Sequence, residues 1–191
     1  LNEPFVVVTL VTDTLDDLGV PYFIGGSIAS TAYGFVRTTL DAYLVADLYP
    51  QHVEPFTQAL GSAFYVDADT IREAIERQSS FSVIHRATMF GVDVFIPKKR
   101  LYDQMQFERR MKRAIDQEGR YVVALASPED VILAKLEWHR LDNEISSRQW
   151  QDVQGVLKAQ GGHLDLGYLW RWAADLNVAD LLERALDESG R

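Results

Sequence analysis

Near the start of the chain the apolar positions Phe5, Val8, Leu15 and Leu18 recur at helical spacing, and Gly19 closes the run. This predicts an amphipathic helix. After Pro21 the short apolar run "YFIG" reads as a buried strand, and helical spacing resumes after Gly26 until Gly34. "LDAYLVADL" is rich in strand formers and has too little room for a helix, so it reads as a strand. "YPQHVEPFTQALG" and "DADTIREAIERQS" read as two solvent-facing helices, the second capped by Asp67 or Asp69. "FSVIHR" and "MFGVDVFIP" read as two strands, with Ala87 and Thr88 in a turn between them.

The pattern changes after Pro97. "KKRLYDQMQFERRMKRAIDQEG" reads as one helix whose bases, interleaved with acids, form a solvated face rather than a nucleic-acid patch. "YVVALA" is a short strand. In "SPEDVILAKLEWHRL" Ser127 is an N-cap, Pro128 takes the first helical position and Asp130 closes a box-like cap. Ser146 with Gln149 opens a further helix in the same way, and Asp165 and Asn177 are expected to cap two more. The predicted fold is α+β. A mixed sheet with flanking helices spans residues 1–126, and a C-terminal helical region spans residues 127–191.

Composition narrows the function classes. The 191 residues are 47% hydrophobic and 25% charged, the balance of a globular chain with a sizeable core. A net charge of −9 argues against a protein that coats DNA by counterion release. The absence of cysteine removes disulfides and thiolate metal sites, which fits a reducing cytoplasm. No apolar run reaches the length of a membrane span, and "LNEPFVVVTLVTD" lacks the basic flank of a signal peptide. A cytoplasmic protein is expected.

The candidate chemistry gathers around three segments. Gly25, Gly26 and Ser27 follow a strand and open a helix, a place where backbone N–H groups can face a phosphate. Asp41 stands on the next strand, and Asp93 lies between Val92 and Val94 on an apolar strand, where an unpaired charge is costly. Two carboxylates aimed from strands at one point suit Mg²⁺, a hard ion that takes one or two protein carboxylates together with substrate phosphates. Other chemistries find no footing. The glycine stretch lacks the G-x-S-x-G elbow, there is no phosphate-binding G-x-x-x-x-G-K-[ST] loop, and His52, His85, His139 and His163 show no ligand spacing. Trp138, Trp150, Trp170 and Trp172 are expected to pack the helical region rather than to stack on bases.

Ser27 after Gly26, followed by Asp41, resembles the hG[GS]…Dh[DE]h signature of the nucleotidyltransferase superfamily with the polymerase-beta-like fold. The context "GGSIAS…G…RTTLD", which includes Arg37, is similar to small bacterial AbiEii toxin-like nucleotidyltransferases. The tail segments "ASPEDVILAKLEW", "SSRQWQDVQGVLK" and "LDLGYLWRWAADL" resemble the C-terminal helical region of that group. The resemblance covers roughly residues 15–185. It implies that Gly25, Gly26 and Ser27 hold nucleotide phosphates, that Asp41 and Asp93 hold Mg²⁺ or Mn²⁺, and that Asp93 assists the attacking hydroxyl. It further implies that Lys135 contacts the triphosphate and that Arg148 and Asp152 complete the nucleotide site. The activity implied is transfer of NMP from an NTP to an RNA, protein or small-molecule hydroxyl, with an antitoxin as partner. One position departs from the pattern: Tyr43 stands where the superfamily has the second carboxylate, and a phenol with an ordinary pKa near 10 is a poor Mg²⁺ ligand. The alternative is therefore a degenerate member that binds a nucleotide or a partner without turnover.

Overall fold

The computed structural model describes residues 3–34, 39 and 41–190. The described residues form a seven-stranded mixed sheet and nine α-helices. In chain order these are α1 (Glu3–Asp17), β1 (Tyr22–Ile24), α2 (Gly26–Ala32), β2 (Asp41–Ala46), α3 (Val53–Leu60), β3 (Phe64–Tyr65), α4 (Ala68–Arg77), β4 (Ser80–His85) and β5 (Gly91–Phe95). Then come α5 (Leu101–Arg109), β6 (Met111–Ala114), β7 (Val122–Leu125), α6 (Pro128–Leu141), α7 (Ser147–Gln160), α8 (Leu166–Asp175) and α9 (Ala179–Glu188).

The sheet runs β3-β4-β5-β2-β1-β7-β6. β1 pairs antiparallel to β2, which pairs parallel to β5, and β7 joins β1 in parallel. Alternation along β2 buries Ala42, Leu44 and Ala46 on one face and turns Asp41, Tyr43 and Val45 to the other. Helices fall into two connected groups. α3 touches both α1 and α4, whereas α6 touches α2, α7 and α8, and α9 closes against α7 and α8. One continuous core runs through both groups, from Val7 and Leu15 through Ile24, Leu44 and Leu125 to Leu133, Leu157 and Leu182. No described helix is long and apolar enough to cross a membrane.

The expected caps are found at most helix starts. Asp67 accepts the Thr70 N–H at 2.8 Å, Ser127 Oγ the Asp130 N–H at 3.1 Å, Ser146 Oγ the Gln149 N–H at 3.4 Å and Asp165 the Tyr168 N–H at 2.9 Å. Asn177 is not a cap: it takes the left-handed conformation with φ 57° in the turn before α9, whose N-cap is Val178. The basic segment after Pro97 is not one helix either. α5 ends at Arg109, and Met111–Ala114 forms the outermost strand on β7, exposed at all four positions. Lys112 and Arg113 on that strand keep a sheet edge charged, which discourages edge-to-edge association. The two-residue strand β3, on the opposite edge, has too short a pattern to be read from sequence.

Candidate active site

The turn after β1 and the strands β2 and β5 meet α6 and α7 around a cleft of about 240 Å³. Gly26, Ser27, Asp41, Tyr43, Asp93, Lys135 and Arg148 all line it, together with Ala42, Phe95, Ala134, Trp138 and Gln149. Residues far apart in sequence thus reach one place because β2 is central to the sheet and α6 packs against α2, the helix that the glycine turn opens. Asp152 does not line the cleft. It lies beneath, with no exposed surface, and pairs with the Lys135 ammonium at 2.5 Å. The Gln149 amide oxygen accepts from the same ammonium at 3.2 Å. Arg37 lies outside the described residues.

The glycine turn is shaped by Tyr43. The Gly25 N–H donates to the Tyr43 carbonyl at 3.0 Å, so Gly25 continues the β1–β2 ladder beside Tyr43. Gly26 has φ +59°, and a Cβ there would come within 2.9 Å of the Tyr43 Cβ. At Gly25 a Cβ would meet ring atoms of Tyr43 at 3.0 and 3.2 Å. Gly26 therefore needs glycine for approach and backbone conformation together, whereas a side chain at Gly25 would have to push the Tyr43 ring aside by a few tenths of an ångström.

The carboxylates sit on neighbouring strands. Asp93 is in register with Tyr43, and Asp41 with Gly91, so Asp41 and Asp93 are offset along the parallel pair β2–β5. The Ser82 hydroxyl donates to Asp93 at 2.5 Å from the cross-strand position on β4, and the Thr39 hydroxyl lies 3.2 Å from an Asp41 carboxylate oxygen. Tyr43 stacks its ring against Phe95 with centroids 4.4 Å apart, and Phe95 meets Trp138 edge-on at 5.9 Å. Burial pushes the Tyr43 phenol up to about 12, only partly offset by the hydrogen bond to Trp138. It is a neutral group at any ordinary pH.

This donor set bears on the expected metal. Among the described residues no group of three or more His, Asp or Glu side chains is placed to hold an ion. Two carboxylates completed by phosphate oxygens match what one Mg²⁺ takes from a protein. A neutral phenol at position 43 supplies no bridging carboxylate for a second ion, so the residues suit one ion and not a pair.

Trp138 departs from the sequence expectation, since it is 41% exposed in the cleft wall instead of packed inside the helical region. Its place is implicit in the sequence: it stands three residues after Lys135 on the same helix and so shares its face. Gln149 is marked in the sequence only as part of a cap.

No protein-family model matches the chain, and no curated protein matches its sequence. Solved structures do match in fold. ANT(2'')-Ia in complex with adenylyl-2''-tobramycin gives a TM-score of 0.59 at 12% identity, over 91% of this chain and 96% of that one. An antigenic nucleotidyltransferase-like protein from Paracoccidioides brasiliensis gives 0.55 at 20% identity, over 93% and 92%. The lincomycin-bound lincosamide antibiotic adenylyltransferase LnuA gives 0.50 at 14% identity, over 82% and 96%. The chain has the α+β fold of these nucleotidyltransferases, with a cleft at the glycine turn and its two aspartates.

Proposed function

We propose that the protein is a nucleotidyltransferase that moves a nucleoside monophosphate from an NTP to a hydroxyl of a small molecule. The observation that carries this reading is the convergence of Ser27, Asp41, Asp93 and Lys135 on one cleft from four separate segments. In the reaction the acceptor oxygen forms a bond to the α-phosphorus. The bond from that phosphorus to the bridging oxygen breaks, and its electron pair leaves with pyrophosphate. The hydroxyl proton passes to the Asp93 carboxylate. Lys135 and Arg148 offset phosphate charge, and the turn at Gly25, Gly26 and Ser27 holds phosphate oxygens. Asp152 completes the nucleotide site through Lys135, by fixing its ammonium. Asp41 and Asp93 would hold a single Mg²⁺ or Mn²⁺, which when bound supplies further charge neutralisation.

A division of the chain at residues 126 and 127 fits this reading. The part before it contributes the turn and carboxylates, and the helical part after it contributes Lys135, Trp138, Arg148 and Gln149. A small-molecule acceptor is favoured because ANT(2'')-Ia is seen with adenylyl-2''-tobramycin and LnuA with lincomycin. The resemblance to AbiEii toxin-like proteins supports an RNA or protein acceptor and an antitoxin partner in a bacterial cytoplasm, and these enter as separate arms of the test. Each α-labelled NTP is incubated with the protein, Mg²⁺ or Mn²⁺, and either hydroxylated small molecules, total RNA or cell protein. Label transfer that disappears in Asp41→Ala is expected in the small-molecule arm. Absence of transfer in every arm would sink the reading.

A second reading is favoured by Tyr43 itself: a nucleotide-binding protein without turnover. Restored transfer in Tyr43→Asp, with none in the chain that carries Tyr43, would establish it. Equal transfer in both would discard it.

A further inference from the structure

Trp138 is braced behind and open in front. Phe95 meets it at an interplanar angle of 74°, and Tyr43 in turn supports Phe95, yet Trp138 keeps 41% of its surface exposed. It stands between two hollows. One is the cleft already described. The other, of about 330 Å³, is lined by Trp138, Leu141, Asp142, Ser146 and Gln149, so that Trp138 and Gln149 belong to both.

The second hollow is held in shape by its loop. Asn143 and Glu144 take left-handed conformations with φ 51° and 62°, and the Glu144 N–H donates to the His139 carbonyl at 2.8 Å. A His139 ring nitrogen lies 3.1 Å from the Ser146 carbonyl, which ties the far end of the loop to α6. The two hollows also differ in charge. The cleft holds Asp41 and Asp93 together with Lys135 and Arg148, whereas the second hollow is lined by Asp142 and by no cation. The nearby Arg140 is engaged by Glu144 at 3.0 Å and Asp180 at 2.5 Å, and Asp142 has no ion-pair partner among the described residues.

A fixed aromatic face, exposed aliphatic surface and a carboxylate in one recess suit an amphiphilic cation. We propose that this hollow binds a small molecule with a flat apolar face, a protonated amine and a hydroxyl. The apolar face lies on Trp138 and Leu141, the amine lies against Asp142, and the hydroxyl enters the cleft past Gln149. The binding chemistry stands on these residues alone; the role of the ligand as nucleotide acceptor rests on the transferase reading.

Three probes of one skeleton test it: 2-amino-1-phenylethanol, 1-phenylethane-1,2-diol and mandelate, titrated at neutral pH and followed by ligand-observed NMR. The amine should bind about fivefold more tightly than the diol, with mandelate weakest. Asp142→Asn should erase the advantage of the amine and leave the diol unchanged, and Trp138→Leu should weaken amine and diol alike by about tenfold. Equal binding of the three probes, or an order unchanged in Asp142→Asn, would overturn the proposal. Displacement of the amine by ATP would make the hollow a nucleobase subsite and overturn it as well. If the charge order holds while no nucleotide is transferred to any acceptor, the amine site stands and the transferase reading fails.

Discussion

The ammonium of Lys135 and the carboxylate of Asp152 meet at 2.5 Å between α6 and α7, both buried at the base of the cleft. Removing either partner takes the opposite charge away from the other inside the core, which costs about 3–5 kcal/mol. Denaturant unfolding of Lys135→Met and Asp152→Asn should show losses in that range. The double variant Lys135→Met with Asp152→Leu should be more stable than either single one, because no charge is left behind.

The glycine turn gives a second, ordered pair of outcomes. Gly26→Ala meets both a left-handed backbone and a Cβ contact of 2.9 Å with Tyr43 Cβ, whereas Gly25→Ala meets only ring carbons. Gly26→Ala should therefore destabilise the protein more, by about 1–3 kcal/mol. Adding Tyr43→Ala should relieve the crowding caused by Gly25→Ala but not that caused by Gly26→Ala, because alanine keeps its Cβ and loses the ring. Thermal unfolding of the two single and two double variants checks the order.

Much of this arrangement is legible in the sequence. The glycine pair, Asp41, Asp93 and Lys135 stand out because each is an odd residue for its element: glycines at a helix start, charges among valines and leucines. The elements around them have long periodic patterns or clear caps. Met111–Ala114 escapes such a reading because an exposed edge strand has no apolar face to produce alternation, and its bases continue those of α5. The depth of Asp152 is not legible, because sequence spacing gives its helix face and not its burial. Only the packing of α7 against α6 shows that it turns to Lys135. Trp138 is hidden for the opposite reason, since a large apolar residue in a helix is expected to be buried.

Alkaline titration should expose three buried phenols. Burial pushes Tyr22, Tyr33 and Tyr43 each up to about 12 in the folded protein, against about 10 in the unfolded chain. Below pH 10 both states keep these protons and the full stability is present. Between pH 10 and 12 the unfolded chain releases them first, so stability falls as pH rises. Tyr43→Phe keeps the ring on Phe95 and should change stability at neutral pH by less than about 1 kcal/mol. In alkali it should lower the slope by about one proton, measured as the denaturation midpoint against pH.

Tyr168 and Asp130 offer a test in acid. The Tyr168 hydroxyl donates to one oxygen of the fully buried Asp130 at 2.7 Å, and Ser127 donates to the other at 2.6 Å. Burial pushes the Asp130 carboxyl up, and the two hydroxyls pull against that shift. Tyr168→Phe leaves a buried carboxylate oxygen without this donor and should cost about 1–3 kcal/mol at pH 7. The loss should shrink as the pH is lowered, because the variant raises the Asp130 pKa further and the protonated group needs less support. Unfolding of both proteins across an acid series measures the difference.

Tyr43 also sets what this chain can become. Tyrosine and aspartate codons differ only in their first base, so a single nucleotide change would put a carboxylate beside Asp93, under a glycine turn already shaped to pass over it. The same change would remove the ring that supports Phe95 and, through it, Trp138. Affinity for a second cation and stiffness of the aromatic wall are thus exclusive occupants of one position. Selection for either would be recorded in one codon, and saturation of that codon in a growth experiment would show which of the two the cell requires.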